Sequence, residues 1–373
     1  MSGRCKRETF LVQMGNRKDE HFRAVSTPIY FSTAYRHESL GLQDGYDYTR
    51  TGNPTRDVLE EAVAELEGGV SAFATSSGMA AVQLAFALFP YGSHFISSRD
   101  IYGGNFRLFE LFREKYGFEF SYWDGSNEAD IEKLIKTNTK AVFIESPTNP
   151  LLHTVDLKKI SSITKAHDIL HIVDNTLFTP YIQRPLELGA DLVLHSATKY
   201  LAGHNDVLAG LLTVKDESLA EELAFLHNSI GAVLSPYDSW SLLRGMKTLA
   251  LRMKQHEANA HRVAAYLNTH PLVTAVHYPG RGGMLSFEVV DEGLIEPFLQ
   301  SLTIFTFAES LGGVESFLTY PITQTHMDIP EEVRLSYGLS NCLLRASIGV
   351  EHADDLILDI DQALAIASSL GVK

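Results

Sequence analysis

Short apolar runs alternate with amphipathic stretches between about residue 71 and residue 214 of this chain. Within the stretches 79–89, 104–116 and 157–167, apolar positions recur every three or four residues, as on a helix with one buried face. Strands that alternate with helices predict a mostly parallel sheet that is covered by helices on both faces. The apolar runs predict seven strands: 72–75, 94–97, 119–122, 141–144, 169–173, 192–195 and 209–214.

The pattern changes on both sides of this α/β region. The first residues are irregular, with Pro28 and a turn-rich stretch at 41–45, so we interpret them as an arm. Beyond the α/β region a long helical run reaches residue 267, a strand-like run lies at 284–290, and a final helix begins near residue 353. The sequence therefore predicts three parts: an N-terminal arm at 1–47, an α/β domain at 48–241 and a smaller C-terminal α+β domain at 242–373.

Polar side chains with complementary chemistry follow two of the predicted strands. Ser196, Thr198 and Lys199 come directly after one strand, and Asp174 comes directly after another. Hydroxyls suit a phosphate, a lysine amine forms a Schiff base with an aldehyde, and a carboxylate suits a protonated pyridine nitrogen. Because ligands of such sheets collect at the carboxyl ends of strands, this combination indicates pyridoxal phosphate. The alternative is that Lys199 is a solvated surface residue, as most lysines are.

Three further positions favour a cofactor with a phosphate group and a flat ring. Gly78 opens a helix after a strand, where backbone amides suit a phosphate, although an ordinary helix cap has the same sequence. Arg50 lies in a turn-forming segment and can grip a phosphate, with a surface turn as the alternative. Tyr102 follows a predicted strand and can stack on a ring, with a core tyrosine as the alternative.

Two other positions concern substrate binding and metal binding. Arg345 lies inside an apolar strand, so it needs a partner, either a substrate carboxylate or a structural Asp or Glu. His256 and His261 are five residues apart, so they do not share a helix face as zinc ligands would. We therefore expect no metal site and interpret the segment 256–261 as part of an exposed helix.

The composition limits the partners and the compartment. The 373 residues carry a net charge of −15, which argues against nucleic acid because a phosphate backbone needs a clustered basic face. No stretch approaches the ~20 apolar residues of a membrane span, and the N-terminal residues lack the apolar core of a secretory signal. Two cysteines give no disulfide framework, so we expect a cytoplasmic protein.

Taken together, these segments resemble the Cys/Met-metabolism family of pyridoxal-phosphate (PLP) enzymes, most closely cystathionine γ-synthases and O-acetylhomoserine thiolyases. The resemblance runs from about residue 25 to the C-terminus and implies a type I PLP-dependent transferase fold. It also implies a homo-oligomer, usually a tetramer, in which the N-terminal arm contacts the neighbouring subunit. The matching segments are 47–55, 77–79, 102–104, 145–150, 173–176, 195–200, 309–316 and 345–349.

The resemblance implies roles in catalysis and in cofactor binding. Lys199 would carry the cofactor covalently and transfer protons, and Asp174 would keep the ring nitrogen protonated. Tyr102 would stack on the ring and act in acid–base steps, and Asn149 would lie near the ring oxygen. The phosphate would be bound by Gly78, Met79, Ser196 and Thr198, and by Tyr48 and Arg50 of the neighbouring subunit, so that an active site needs a dimer.

The resemblance also implies how the substrate binds. Ser310 and Arg345 would hold the α-carboxylate region of the amino acid, and Glu309 is similar to the residue of enzymes that act at the γ-carbon. Thr51 stands where enzymes that use succinylhomoserine often have a second arginine, which favours an uncharged acetyl leaving group. Arg107 remains a candidate partner for a distal carboxylate.

We therefore expect PLP-dependent γ-replacement on O-acetyl-L-homoserine with L-cysteine, which gives L-cystathionine on the transsulfuration route to methionine. Sulfide in place of cysteine would give homocysteine. Cystathionine β- or γ-lyase activity is the alternative on the same scaffold, and a non-catalytic PLP-binding regulator is a more remote one. Whether acylhomoserine or cystathionine is consumed separates a synthase from a lyase.

Overall fold

The structure, a computed structural model, describes residues 5–41 and 45–371 of the chain. The turn predicted at 41–45 therefore includes residues 42–44, which lie outside the described part. The chain divides into two units: Met1–Pro90 with Thr164–Ala250, and Tyr91–Ile163 with Leu251–Lys373. The three-part division made from the sequence stays a prediction.

The seven strands predicted for the α/β region are confirmed to within two residues at each end. In the described residues, no helix is both long enough and apolar enough to cross a membrane. The strands are β1 (Ser71–Thr75), β2 (His94–Ser98), β3 (Glu119–Trp123), β4 (Thr139–Glu145), β5 (Leu170–Asp174), β6 (Leu192–Ser196), β7 (Gly210–Val214), β8 (Val273–His277), β9 (Met284–Val289), β10 (Thr306–Phe307), β11 (Phe317–Thr319) and β12 (Leu343–Ser347). The α-helices are α1 (Arg7–Gln13), α2 (Pro54–Glu67), α3 (Gly78–Phe86), α4 (Gly103–Tyr116), α5 (Ile131–Leu134), α6 (Leu157–Ala166), α7 (Thr179–Ile182), α8 (Glu217–Ile230), α9 (Pro236–Met246), α10 (Leu249–Leu267), α11 (Ile295–Ser301), α12 (Glu331–Ser336) and α13 (Ala353–Gly371).

Strands β1 to β7 form a mostly parallel seven-stranded sheet, as predicted. The first unit contributes strands in the order β1-β7-β6-β5, and the second contributes β4-β2-β3. Strand β7 is antiparallel to β1 and β6, whereas the pairs β5–β6, β2–β4 and β2–β3 are parallel. Every residue of β2 and β7 is buried, so these strands show no alternation of apolar and polar positions.

A second sheet lies in the second unit, in the order β10-β11-β12-β9-β8. Apolar side chains of β9 and β12 share one buried core with α10, α11 and α13. Strand β9 supplies Phe287 to this core, strand β12 supplies Leu344, and α13 supplies Ile360. Helix α13 begins at Ala353, close to the predicted start of the final helix.

The long helical run that was predicted to end at residue 267 is two helices, α9 and α10. The break at residues 247–248 follows a tightened last turn, in which the amide of Lys247 donates to the carbonyl of Arg244. Gly245 lies in this turn, and a Cβ there would be 2.3 Å from the carbonyl oxygen of Ala202. Helix α9 thus ends where its backbone packs directly on the backbone of Ala202. The helical periodicity gave no sign of this contact.

The interpretation of residues 256–261 as an exposed helix was wrong for one face of α10. His256 is fully buried, and its Nδ1 lies 2.7 Å from the carbonyl oxygen of Ile348. Asn259, one turn further on, donates to the carbonyl oxygens of Gly349 and Glu351 at 3.0 and 2.7 Å. This polar face pairs with the backbone carbonyls of residues 348, 349 and 351, which follow β12.

Candidate active site

The N-terminus of α3 meets the end of β6 in the first unit. Ser77 caps α3, because its Oγ accepts a hydrogen bond of 3.1 Å from the amide of Ala80. At Gly78, the first residue of α3, a Cβ would lie 2.8 Å from the Cβ of Ser196 and would fill the space between them. The amides of Gly78 and Met79 and the hydroxyl of Ser196 therefore form a cradle with the chemistry that a phosphate needs.

Asp174 is partly buried at the end of β5 and is connected to Ser196 through one intermediate side chain. Its Oδ1 accepts hydrogen bonds from the amide and the hydroxyl of Thr176 at 3.0 and 2.6 Å. The same hydroxyl accepts a bond of 2.8 Å from the amide of Ser196. Burial raises the pKa of Asp174, and the bonds from Thr176 oppose this change. The sequence reasoning assigned no role to Thr176, although its position two residues after an Asp is typical of an Asx-turn.

Thr198 and Lys199 lie in the turn that follows β6. The Oγ1 of Thr198 lies 3.1 Å from the carbonyl oxygen and 3.0 Å from the amide of Ala209, donating to one and accepting from the other. The amide of Lys199 donates to the carbonyl of Ser196, and its own carbonyl accepts from Gly203. These bonds hold the lysine directly beside the Ser196 cradle. They also commit the hydroxyl proton of Thr198 to the backbone, so its role toward a phosphate stays a prediction.

A buried acid and imidazole lie in the core beside Asp174. The Nε2 of His195 is 2.5 Å from the Oε1 of Glu67, and both side chains are buried completely. His195 also lowers the pKa of Asp174, although by less than burial raises it. The role of Glu67 was missed, because this residue lies 128 positions away from His195 in the sequence.

Tyr48 and Arg50 lie in a separate, exposed segment before α2. The guanidinium of Arg50 lies over the ring of Tyr48, 5.6 Å from its centroid, and its Nε donates to the Oδ1 of Asn228 at 3.2 Å. The fully buried Arg56 donates to the carbonyls of Thr49 and Arg50 at 2.8 and 3.2 Å. The buried guanidinium of Arg56 thus holds the backbone that carries the exposed side chains of Tyr48 and Arg50. Neither Asn228 nor Arg56 was assigned a role from the sequence.

Tyr102 leads into α4 in the second unit and is held close to that helix. Its amide donates to the Oε2 of Glu145 at 2.9 Å. A Cβ at Gly104 would lie 2.4 Å from the Cε1 of Tyr102, so the ring covers this glycine. Burial raises the pKa of the Tyr102 phenol. This arrangement fixes one face of the ring against the helix.

Arg345 binds two other predicted site residues in the second unit, Asn149 and Ser310. Its Nη1 donates to the Oδ1 of Asn149 at 2.9 Å, and its Nη2 donates to the carbonyl of Ser310 at 3.0 Å. The Nη2 also donates to the Oγ1 of Thr319 at 3.0 Å, a contact that the sequence reasoning missed. The guanidinium is almost fully buried, and these three acceptors are neutral oxygens. These bonds orient the guanidinium of Arg345.

Glu309 and Arg107 lie near the Tyr102 phenol. Glu309 raises the pKa of Tyr102, whereas Arg107 and Arg345 lower it, all to a smaller extent than burial. Arg107 forms an ion pair of 2.6 Å with Asp328, in which the two side chains are 66% and 45% exposed. A distal carboxylate would therefore have to compete with Asp328 for Arg107. The sequence reasoning did not identify Asp328.

The groups of the first unit fit PLP, since they offer amides and a hydroxyl for a phosphate, a partly buried carboxylate for a ring nitrogen and an adjacent amine. The model of the Cys/Met metabolism PLP-dependent enzyme family matches residues 8–365. The chain therefore belongs to this family, and PLP is its cofactor.

Relatives in this family carry both synthase and lyase names. The chain is 58% identical over 357 residues to a cystathionine gamma-synthase/O-acetylhomoserine (thiol)-lyase of Bacillus subtilis, with 96% of each chain covered. It is 51% identical to a cystathionine gamma-synthase of Haemophilus influenzae, over 96% of this chain and 97% of that one. The crystal structure of a cystathionine gamma-lyase from Lactobacillus plantarum, complexed with L-serine, is similar with a TM-score of 0.95 and 43% identity. The match covers 98% of this chain and 100% of the other.

Proposed function

We propose that this protein catalyses γ-replacement on O-acetyl-L-homoserine with L-cysteine, giving L-cystathionine. The observation that carries the proposal is the 58% identity, over 96% of both chains, to a relative named as synthase and thiol-lyase. Sulfide is the second nucleophile that this name supports. The enzyme would serve methionine biosynthesis as a cytoplasmic homotetramer, in which Tyr48 and Arg50 bind the phosphate of the neighbouring subunit.

The residues of the first unit would serve the cofactor. PLP, when bound, supplies an aldehyde for the substrate amine and a ring that accepts electrons. Ser196, with the amides of Gly78 and Met79, would hold the phosphate. The carboxylate of Asp174, oriented by Thr176, would hold a proton at the ring nitrogen.

The ε-amine of Lys199 would remove the proton at the substrate Cα and later return protons to the product. A proton carrier works best when its pKa lies near the working pH, whereas a lysine in water has a pKa of ~10.4. Desolvation and neighbouring positive charge are the two effects that lower a lysine pKa. We therefore expect the environment of Lys199 to become less polar when the substrate binds.

The residues of the second unit would serve the substrate. Arg345 would bind the α-carboxylate, because three hydrogen bonds already fix the direction of its guanidinium. Tyr102 would stack on the cofactor ring, with Asn149 near the ring oxygen. Two features favour an acetyl over a succinyl group: Thr51 carries no charge, and Arg107 is paired with Asp328.

Elimination from cystathionine is the second candidate function. The 43% identity to a cystathionine gamma-lyase of known structure supports it, because the same scaffold performs that reaction. The two functions differ in whether the acylhomoserine or cystathionine is consumed. A cofactor-binding regulator without turnover would consume neither.

The test is a product assay with purified holoenzyme and O-acetyl-L-homoserine, with and without L-cysteine, followed by chromatography and mass spectrometry. We expect cystathionine only when cysteine is present, and a lower rate when O-succinyl-L-homoserine replaces the acetyl ester. Lys199→Ala should abolish turnover, while Lys158→Ala, at an exposed lysine of α6, should not change it. Untouched acetylhomoserine together with consumed cystathionine would replace the proposal with a lyase function.

A further inference from the structure

The imidazole of His326 lies between two segments that carry predicted site residues. It is fully buried in the loop between β11 and α12. Its Nε2 lies 3.2 Å from the carbonyl oxygen of Ile101 and 3.0 Å from that of Asn149. Ile101 directly precedes Tyr102 in the segment after β2, and Asn149 lies in the segment after β4. One imidazole therefore contacts both segments.

The hydrogen-bond partners determine the tautomer of His326. Carbonyl oxygens only accept, so Nε2 must carry the hydrogen and share it between the two carbonyls. Nδ1 then accepts the hydroxyl proton of Thr325, whose Oγ1 is 2.7 Å away. Burial lowers the pKa of His326 to about 4, with Arg345 adding to this effect. The ring is therefore neutral near pH 7 and has a fixed donor side.

The backbone around His326 leaves little room for adjustment. A Cβ at Gly103 would lie 2.0 Å from the carbonyl oxygen of Thr325 and 3.4 Å from the Cα of His326. The amide of His326 donates to the carbonyl of Pro321 at 2.8 Å. The loop thus rests directly on the first turn of α4, immediately after Tyr102. A displaced imidazole would move this turn with it.

His326 connects Tyr102 with Arg345 through hydrogen bonds to the backbone of Ile101 and Asn149. The carbonyl of Ile101 directly precedes Tyr102, and the side chain of Asn149 accepts a bond from Arg345. We propose that His326 is a positioning residue that sets the spacing between the Tyr102 ring and the Arg345 guanidinium. This inference rests on the proposed function, in which one residue faces the cofactor and the other faces the substrate.

Two substitutions at this position separate positioning from packing. His326→Leu fills a similar space without a donor and leaves two buried carbonyls unpaired, whereas His326→Gln restores amide hydrogens near the position of Nε2. The neighbouring Met327 is 66% exposed, so Met327→Ala is the matched control. All variants are prepared as holoenzymes. Their melting temperatures and the visible circular dichroism of bound PLP are measured before any substrate is added.

We expect His326→Leu to bind PLP with an altered visible circular dichroism. Its KM for O-acetyl-L-homoserine should rise and its kcat should fall, together about tenfold or more in kcat/KM. The Gln variant should return both readouts close to those of the wild type, and Met327→Ala should change neither. A lowered melting temperature alone, with unchanged dichroism and kinetic constants, would show a purely structural role. A folded Gln variant as defective as the Leu variant would also overturn the proposal.

The proposal can still be tested if the Leu variant does not fold or if the wild type does not use O-acetyl-L-homoserine. If the Leu variant does not fold, Thr325→Val removes the hydroxyl that donates to Nδ1 and helps to hold the ring in place. It should alter the dichroism of bound PLP, and no change would contradict the proposal. If the wild type does not use O-acetyl-L-homoserine, the proposed function fails by itself. The dichroism of the cofactor, measured without substrate, then still tests whether His326 positions Tyr102.

Discussion

Gly78→Ala is the substitution that most directly probes the cradle at the start of α3. The added Cβ would lie 2.8 Å from the Cβ of Ser196 and 3.0 Å from both its Cα and its Oγ. Carbon atoms in favourable contact are about 3.5–4.0 Å apart, so each of these contacts is too short. Strand β6 pairs with strands on both sides and cannot retreat. The start of α3 must therefore move away from Ser196.

The size of the effect follows from the cost of overpacking. Forcing an extra methyl group into a filled site costs about 1–3 kcal/mol. Without cofactor the helix start relaxes, whereas a bound phosphate draws the amides of α3 back toward Ser196. The cost then appears in cofactor binding, and the Kd for PLP should rise by about 5- to 150-fold.

The assay is a titration of the apoprotein with PLP, followed by absorbance, together with the melting temperature of each variant. Gln83→Ala is the matched control, because Gln83 is exposed on the same helix. Its Kd for PLP should equal that of the wild type. If Gly78→Ala folds normally and binds PLP with an unchanged Kd, the assignment of the phosphate to the start of α3 is wrong.

Three further predictions concern buried charge. Arg56→Met removes a fully buried guanidinium that bonds to the carbonyls of Thr49 and Arg50 and lies 3.5 Å from Glu60. It should lower the free energy of unfolding in urea by about 3–5 kcal/mol, and a loss below about 1 kcal/mol would contradict this. Burial lowers the pKa of His256 to about 4, so the wild type should lose stability as the pH falls from 6.5 toward 4. In His256→Asn, the loss of stability between pH 7 and pH 4, measured by urea unfolding, should be smaller than in the wild type by about 3 kcal/mol. A loss equal to that of the wild type would contradict this expectation. Burial by itself raises the pKa of Asp359, but four hydrogen bonds from residues 303–305 outweigh it and lower this pKa. The charged carboxylate therefore stabilises the fold above pH 3.8, and this stabilisation is lost as the pH falls below that value. Asp359→Ala should cost about 2–4 kcal/mol at pH 7 by the same method, and a neutral effect would contradict the assignment.

The strands of the large sheet were predictable because each apolar run is short and ends at polar or turn-forming residues. The same rule predicted that Asp174 and Ser196 lie at strand ends, and the structure confirms these positions. The break between α9 and α10 was not predictable, because it coincides with the packing of Gly245 on the carbonyl of Ala202. Helical periodicity carries no information about such a distant contact.

The supporting residues of the candidate site were missed for the same physical reason. His326 lies 225 positions from Ile101 and 177 from Asn149, and only the fold brings these residues together. Asn228 lies 178 positions from Arg50. The exposure of His256 was predicted wrongly, because its burial depends on the position of the backbone that follows β12. A single polar side chain on a helix is as typical of an exposed face as of one that bonds to buried backbone.

The central claim, synthesis rather than breakdown of cystathionine, is tested most directly by two rates measured on one holoenzyme preparation. One is kcat/KM for O-acetyl-L-homoserine at saturating L-cysteine, and the other is kcat/KM for L-cystathionine as the only substrate. We expect the first value to exceed the second by about tenfold or more, since a difference of about 1.4 kcal/mol in transition-state stabilisation suffices. A larger value for cystathionine would contradict it and would establish the chain as a lyase.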